Sequence, residues 1–408
     1  MIELRIANAL TERTDHQIEF LKELVHFPSD NPPGDCAPHA EMAAAHLEAF
    51  GFVVERHPVP QALVAADGLR SVMNLVVRHR FGDGPTIALN AHGDAVPPGS
   101  NWTHDPYGSQ IVNGRLYGRG AAVSKSDFAT YTFALLALRE AATAASGTVE
   151  LHFTYDEETG GSLGPKWLLD RRISAPDMAI CAGLSYAVVT AHNGCLHLEV
   201  ELLGRSAHAA RPETGADALE AATHVLQALY NERASYADQV SRYFDLGSPR
   251  MVIGRIEGGI NTNVVPDRVV LRLDRRLIPE ESGEQVEREL KALIMAAAER
   301  CPDIRCNVRR LLLAEPLISS ASSDVLAQIL SRQASKVFGE PIGTAGIPLY
   351  TDARHYAAHG IPVVLYGAGP RSFLEANAHG ADEHVAIADL QRATEVVALT
   401  LAELLRAA

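Results

Sequence analysis

The chain has little of what would place it in a membrane, on a nucleic acid or in a disulfide framework. No apolar run approaches the length needed to span a bilayer. The amino terminus, Met1-Ile2-Glu3-Leu4-Arg5, reads as the start of a mixed-charge helix and not as a secretory signal. Positive charge is short: 36 Lys and Arg stand against 50 Asp and Glu, a formal charge of −14. With no basic cluster to offset that balance, no nucleic-acid or membrane partner is expected. Cysteine is scarce as well. Cys36, Cys181, Cys195, Cys301 and Cys306 form an odd, scattered set without a CxxC, so a disulfide framework is not expected and a cytoplasmic location is. Cys301 and Cys306 flank a Pro-Asp turn and read as packing residues. Internal repeats and low-complexity tracts are absent.

The composition that remains, 47% hydrophobic and 21% charged, is that of an ordinary globular protein. At 408 residues the chain exceeds one ordinary core, which predicts two domains. Helical and strand-like segments alternate through the first half: helices at 18–26, 40–50 and about 124–142, strands at 74–77, 86–90, 149–153 and 178–181. The middle reads differently, as strand 195–203, helix 216–232, strands 251–256 and 269–277, helix 284–300 and strand 304–312. That β-α-β-β-α-β order is the ferredoxin-like split unit. The first rhythm then resumes with a helix at 324–337, a strand at 363–366 and a closing helix at 386–405. The expected fold is α/β, a mixed sheet with helices on both faces, carrying an inserted α+β ferredoxin-like domain. The boundaries fall at 1–191 and 313–408 for the larger domain and 192–312 for the insertion.

Chemistry concentrates at two strand ends. The apolar stretch Val149 to Tyr155 runs into Asp156-Glu157-Glu158, then Thr159-Gly160-Gly161. Three adjacent carboxylates at the end of a buried strand crowd one another and lose hydration, and a cation relieves that cost. The run Thr86 to Asn90 ends in Ala91-His92-Gly93-Asp94. Residues two apart in an extended chain face the same side, so Asp94 can accept the spare imidazole proton of His92 and aim its other nitrogen at a metal. Taken alone, His-x-Asp fits a capping Asp beside a core His better than a metal site. With Glu157 and Glu158, one carboxylate can ligate a cation while its neighbour activates water.

Several further motifs make the chain resemble the M20 zinc peptidases. They are His92-Gly93-Asp94-Ala95-Val96-Pro97, Gly114-Arg115-Leu116-Tyr117-Gly118-Arg119-Gly120-Ala121, Gly204-Arg205-Ser206-Ala207-His208, Asn263-Val264-Val265-Pro266, Thr351-Asp352-Ala353-Arg354 and Ala378-His379-Gly380-Ala381-Asp382-Glu383. The resemblance runs through nearly the whole chain in order. It implies that the larger domain bears the metal and that the insertion is a lid, often used for homodimerisation. It also implies that His92 ligates one zinc with Asp94 orienting it, that Glu157 is the general base, and that Glu158 and His379 ligate a second zinc. By the same resemblance His208, on the lid, reaches the active site of the partner subunit and helps stabilise the oxyanion, while Asn263 and Arg354 hold substrate, Arg354 by clamping a carboxylate.

Two positions depart from the family. Where it has x-Asp-Met-Lys with a metal-bridging Asp, this chain has Ala122-Val123-Ser124-Lys125. Where it has a ligating carboxylate in a Gly-Glu-Pro-Thr-like turn, this chain has Ala182-Gly183-Leu184-Ser185. The His92 metal keeps one protein ligand and the other keeps Glu158 and His379, fewer than the three of a catalytic zinc. Metals in such centres lie roughly 3.5–4 Å apart, so a single ion between the two positions is within reach of His92, Glu158 and His379. Asp127 and Cys181 are conceivable substitutes, although a packing or capping role suits the first and a buried strand role the second. The expected activity is therefore amide hydrolysis of a small carboxylate-bearing N-acyl amino acid or dipeptide-like substrate. One Zn2+ per subunit is expected, Mn2+ or Co2+ being alternatives. The competing reading is a catalytically silent relative that binds an amino-acid-like ligand or acts through its dimer.

Overall fold

Continuous apolar runs make the central strands, because a strand covered on both faces has no polar side to show. In the computed structural model, which describes residues 2–141, 145–243, 245–372 and 374–406, the strands that build the two main sheets begin with β1 (Val54–Pro58), β2 (Met73–Arg80), β3 (Thr86–His92), β4 (Thr148–Thr154), β5 (Met178–Cys181) and β6 (Val188–His192). The next four are β7 (Gly194–Leu203), β8 (Arg250–Gly258), β9 (Arg268–Leu277) and β10 (Arg305–Ala314), and β11 (Val363–Leu365) follows. The large sheet runs β1-β2-β4-β3-β5-β11-β6, and the short strands Leu317–Ile318 and Thr344–Ile347 also pair with β6. Its centre is parallel, β3 lying between β4 and β5 with β11 beside β5. Pairing at either side is antiparallel. Helices flank the sheet on both faces, as the alternating rhythm predicts. The helix Lys125–Ala141 is buried along almost its whole length, and Ile387–Leu404 contributes Leu390, Val397 and Leu401 to the same core.

Two compact units result: Met1–Thr190 with Ser319–Ala345 and Thr351–Ala408, and Ala191–Ile318 with Gly346–Tyr350. The second unit is thus somewhat longer than 192–312 and takes in a short return segment. Its strands pair antiparallel in the order β8-β9-β7-β10, the ferredoxin-like arrangement. Period-2 alternation makes β7 two-faced. Leu196, Leu198, Val200 and Leu202 share a core with Val225 and Leu229 of the helix Ala218–Ser235 and with Leu290 and Ile294 of Gly283–Ala298. Asp217 caps the first of these helices, accepting from the Leu219 and Glu220 amides at 2.8 and 3.1 Å, which is worth about 1 kcal/mol.

Candidate active site

Because β3 and β4 run parallel in register, with His92 opposite Thr154, their carboxyl ends deliver side chains to one place. The stacked rings of Phe128 and Phe153, 3.8 Å between centroids, lie beneath them. Beyond β4 the chain makes a tight turn over Glu157–Thr159 and leaves through Gly160 and Gly161, both at positive φ. A Cβ at Gly161 would stand 2.2 Å from Asp352 Oδ1, so only glycine lets that carboxylate come so close.

His92 and Asp94 come together at the end of β3, the imidazole lying nearer the Asp94 backbone carbonyl than its carboxylate. Nδ1 of His92 lies 3.0 Å from the Asp94 carbonyl oxygen and 3.3 Å from its Oδ1. Nε2 is left to face Glu157 Oε2 at 3.9 Å. Ser124 holds the strand end, its hydroxyl accepting from the His92 amide and donating to the His92 carbonyl, both at 3.0 Å. Asp94 has a second task. Its carboxylate accepts from the amides of Glu158 and Glu157 at 3.1 and 3.3 Å and from Asn31 Nδ2 at 2.9 Å, fixing the acidic turn.

His92, Glu157 and Glu158 place one donor atom each within 4.8 Å of one another. His379 joins through Glu158, Nε2 to Oε1 at 3.2 Å, and lies outside that three-donor set. Burial and carboxylate crowding shape the titration of the group. Burial lifts Glu157 well above the ordinary glutamate range, with Glu158, Asp352 and Asp94 adding to the rise and His92 opposing it. Asp156 is raised by burial and by Asp352, and Asp352 is pushed up to about 6, mainly by burial. Burial alone would lower the His92 pKa, but the Asp94 contact and the charges of Glu157 and Glu158 carry it well above the usual imidazole value. His379 is raised by its contact with Glu158. Without a cation, the cluster draws protons onto its imidazoles where positive charge is wanted, and the residues present fit a divalent ion.

The two departures from the family pattern have different surroundings. At Val123 the backbone is what matters: its amide and that of Ala122 donate to Glu383 Oε1 at 3.2 and 3.0 Å. At Gly183 there is no room for a side chain, since a Cβ would lie 2.8 Å from the backbone of Leu365 and Tyr366. Asp127 does not join the donor set. Its Oδ1 accepts from the Ala368 amide at 2.6 Å, and a Cβ at Gly367 would fall 2.1 Å from that oxygen. Cys181 is buried in β5, where burial holds its thiol neutral.

Asp127 also makes a test of burial. Its pKa rises from 3.8 to about 7, chiefly through desolvation, with the Ala368 amide, His92 and the Gly183 amide opposing. The folded state holds that proton more tightly than the unfolded chain does. Stability is therefore fully present below about pH 4 and lost as pH rises to about 7. The stability difference between wild type and Asp127→Asn is expected to move in the variant's favour by on the order of 4 kcal/mol over that window. Denaturant unfolding at several pH values measures it, and a difference constant with pH contradicts the assignment.

Arg354, expected from the resemblance to clamp a substrate carboxylate, is buried. It donates to the carbonyls of Thr351, at 2.7 Å, and Gly160, which ties the glycine turn to the helix Ala353–Ala358. In the second unit His208 and Asn263 come together, the Ala209 amide donating to the Asn263 carbonyl at 3.0 Å. Both are exposed. Nδ1 of His208 accepts from the Ala210 amide at 3.0 Å, so in the neutral ring Nε2 carries the proton.

Residues without an assigned role in the sequence reading hold this site in place. Asn31 braces Asp94. Arg119 and Glu383, 1% and 0% exposed, pair at 2.6 Å. Arg119 also donates to the carbonyls of His379 and Gly380 at 3.3 and 3.0 Å. Both lie in quoted motifs, and their signal was a charge set among glycines or beside a turn, where a solvated charge needs no such company.

Comparison with known proteins decides the family. The model for peptidase family M20/M25/M40 matches residues 88–403. The chain belongs to that family. Succinyl-diaminopimelate desuccinylase of Rhizorhabdus wittichii is 29% identical over 390 residues, covering 93% of this chain and 95% of its own. Human carnosine dipeptidase 1 shares the fold with a TM-score of 0.77 at 19% identity, covering 100% of this chain and 99% of that one. The Bacillus subtilis protein YXEP, described as a dinuclear metal-binding peptidase of the M20 family, gives a TM-score of 0.69 at 15% identity, with 97% and 99% covered. As an M20 member the chain is a hydrolase of the metal-dependent peptidase and deacylase type. No described helix is long and apolar enough to cross a membrane.

Proposed function

We propose that this M20 protein hydrolyses the amide bond of a small N-acyl amino acid or dipeptide-like substrate and uses one divalent metal ion per subunit. The observation that supports this most is the cluster of buried His92 with half-buried Glu157 and Glu158, three donor atoms within 4.8 Å of one another. His92 and Glu158 would hold the ion, with His379 closing on it from beside Glu158. Zn2+ suits two imidazoles and a carboxylate, and Mn2+ or Co2+ are alternatives. When bound, such an ion polarises the scissile carbonyl and acidifies water at the site.

The rest falls to the chain itself. Glu157, 12% exposed at its side chain and raised in pKa, takes a proton from the attacking water and returns it to the leaving amine. Asp94 fixes the His92 ring and the backbone of the acidic turn together. By the resemblance His208, with its Nε2 proton, would serve the oxyanion in the partner subunit's active site, and Asn263 would contact substrate. Arg354 holds the turn that carries Glu157; the resemblance would have it clamp a carboxylate, and its buried placement favours the holding role. The lid would mediate a homodimer through strand β8, an edge strand exposing Val252 and Ile256 at 58% and 51%.

Metal analysis of carefully prepared protein tests the proposal. About one tight ion per subunit is expected, with turnover of N-acyl amino acids that chelation abolishes and added metal restores. Two tight ions would show that further ligands exist. Protein that neither binds Zn2+, Mn2+ or Co2+ nor is activated by them would favour the silent reading, for which Val123 and Gly183 speak.

A further inference from the structure

A second group of metal-binding side chains lies in the inserted unit, on strands β7 and β9. Period-2 alternation puts Cys195 and His197 on the face opposite Leu196 and Leu198. Antiparallel register sets Asp274 across from His197 and Arg276 across from Cys195. Three donors converge there. Cys195 Sγ lies 3.1 Å from His197 Nε2, that nitrogen lies 3.1 Å from Asp274 Oδ2, and Sγ lies 3.9 Å from Asp274 Oδ1. From this geometry we propose a binding site for a thiophilic divalent cation of the zinc class, formed by Cys195, His197 and Asp274 and separate from the M20 centre.

The distances carry the assignment. A zinc held tetrahedrally by one thiolate, one imidazole and one carboxylate sets its donor atoms about 3.4–3.6 Å apart, since Zn–S is ~2.3 Å and Zn–N and Zn–O are ~2.0–2.2 Å. The S–N and N–O separations of 3.1 Å fall a little short of that value, and the 3.9 Å from sulfur, which is to the other carboxylate oxygen, exceeds it a little, so the ion enters with small shifts and a turn of the Asp274 carboxylate. A proton explains the arrangement less well: His197 Nε2 has one in-plane site, yet faces a sulfur and a carboxylate oxygen at equal distance. The donors sit on paired strands, which keeps them in place. Arg276 approaches Asp274 with Nε at 3.0 Å from Oδ1 and Nη2 at 3.0 Å from Oδ2, the kind of outer partner that orients a ligating carboxylate. His197 and Asp274 side chains are 36% and 30% exposed, which gives the ion an entry path and leaves its fourth position for water. On binding, the Cys195 thiol gives its proton to solvent and sulfur bonds the metal, with no change of oxidation state.

Cobalt titration of the metal-stripped whole chain tests this. None of the donors proposed for the M20 centre is a cysteine, so thiolate-to-cobalt charge transfer in the near ultraviolet reports a site outside that centre, and its loss in Cys195→Ser separates this site from the other cysteine-bearing donor group, Glu220, His224 and Cys301. The band is expected in wild type, unchanged in His92→Ala and lost in Cys195→Ser together with one equivalent of cobalt. His197→Ala is expected to weaken cobalt binding at this band by more than the roughly 10–100-fold that loss of an outer partner costs. Wild-type protein without the band, a band that survives Cys195→Ser, or an affinity that His197→Ala leaves unchanged overturns the assignment.

Discussion

Glu157→Gln is expected to lower kcat by about 10²–10⁴-fold while leaving the bound metal in place. Glutamine keeps the shape and the hydrogen-bonding oxygen but cannot accept a proton from water. The backbone around it does not depend on the carboxylate, because the turn is held by the Glu157 and Glu158 amides on Asp94 and by Arg354 on the Gly160 carbonyl. KM is therefore expected to stay near wild type, and the loss falls on the chemical step. The same variant separates two roles for a side chain whose Oε2 is only 3.9 Å from His92 Nε2. If Glu157 is a base, metal content is unchanged and turnover collapses. If it is a ligand, metal content or affinity falls with the activity. Glu158→Gln is the matching control, expected to lose metal first. Inductively coupled plasma analysis beside steady-state kinetics reads both quantities, and Glu157→Gln protein within a few-fold of wild-type kcat would remove Glu157 from the mechanism.

How far the sequence could be read depends on how far each residue's neighbours are local. The buried strands β2 to β5 and their helices are legible because their runs and periods are local properties. His92, Asp94, Glu157 and Glu158 are legible for a related reason: each pair is close in sequence and sits at a strand end, where direction follows from strand geometry. Strand β1, Val-Glu-Arg-His-Pro, is not legible, since only Val54 of its five residues is buried and an edge strand has no full apolar face. Asn31 on Asp94 is a contact between residues 63 positions apart and has no local signature. Gly183 shows the same limit from the other side. The sequence reports a missing carboxylate, but not that Leu365 and Tyr366 fill the space where its Cβ would be. Arg354 is recognisable as a charged residue in a motif, whereas the direction of its guanidinium is set by a turn nearly two hundred residues away.

Arg119→Leu is expected to destabilise the larger unit by about 3–5 kcal/mol, because it strands Glu383 as an uncompensated buried charge. Glu383 is fully buried, and burial already lifts its pKa while Arg119 holds it down. Arg119 is also the link between the loop that carries His379 and the turn at Ala122 and Val123, through the His379 and Gly380 carbonyls on one side and Glu383 on the other. Stability and positioning can be separated by pairing the substitution with Glu383→Gln. The neutral amide keeps an oxygen for the Ala122 and Val123 amides and removes the stranded charge, so most of the lost stability is expected to return in thermal or denaturant unfolding. Metal affinity is not expected to return with it. Without the guanidinium nothing in this pair holds the His379 carbonyl, and His379 stands at positive φ, a conformation that an L-residue keeps only where its surroundings impose it. The double variant is therefore expected to fold close to wild type and to bind metal about 10–100-fold more weakly. A double variant that recovers both would show that Arg119 serves only to neutralise Glu383, and that His379 reaches Glu158 without its help.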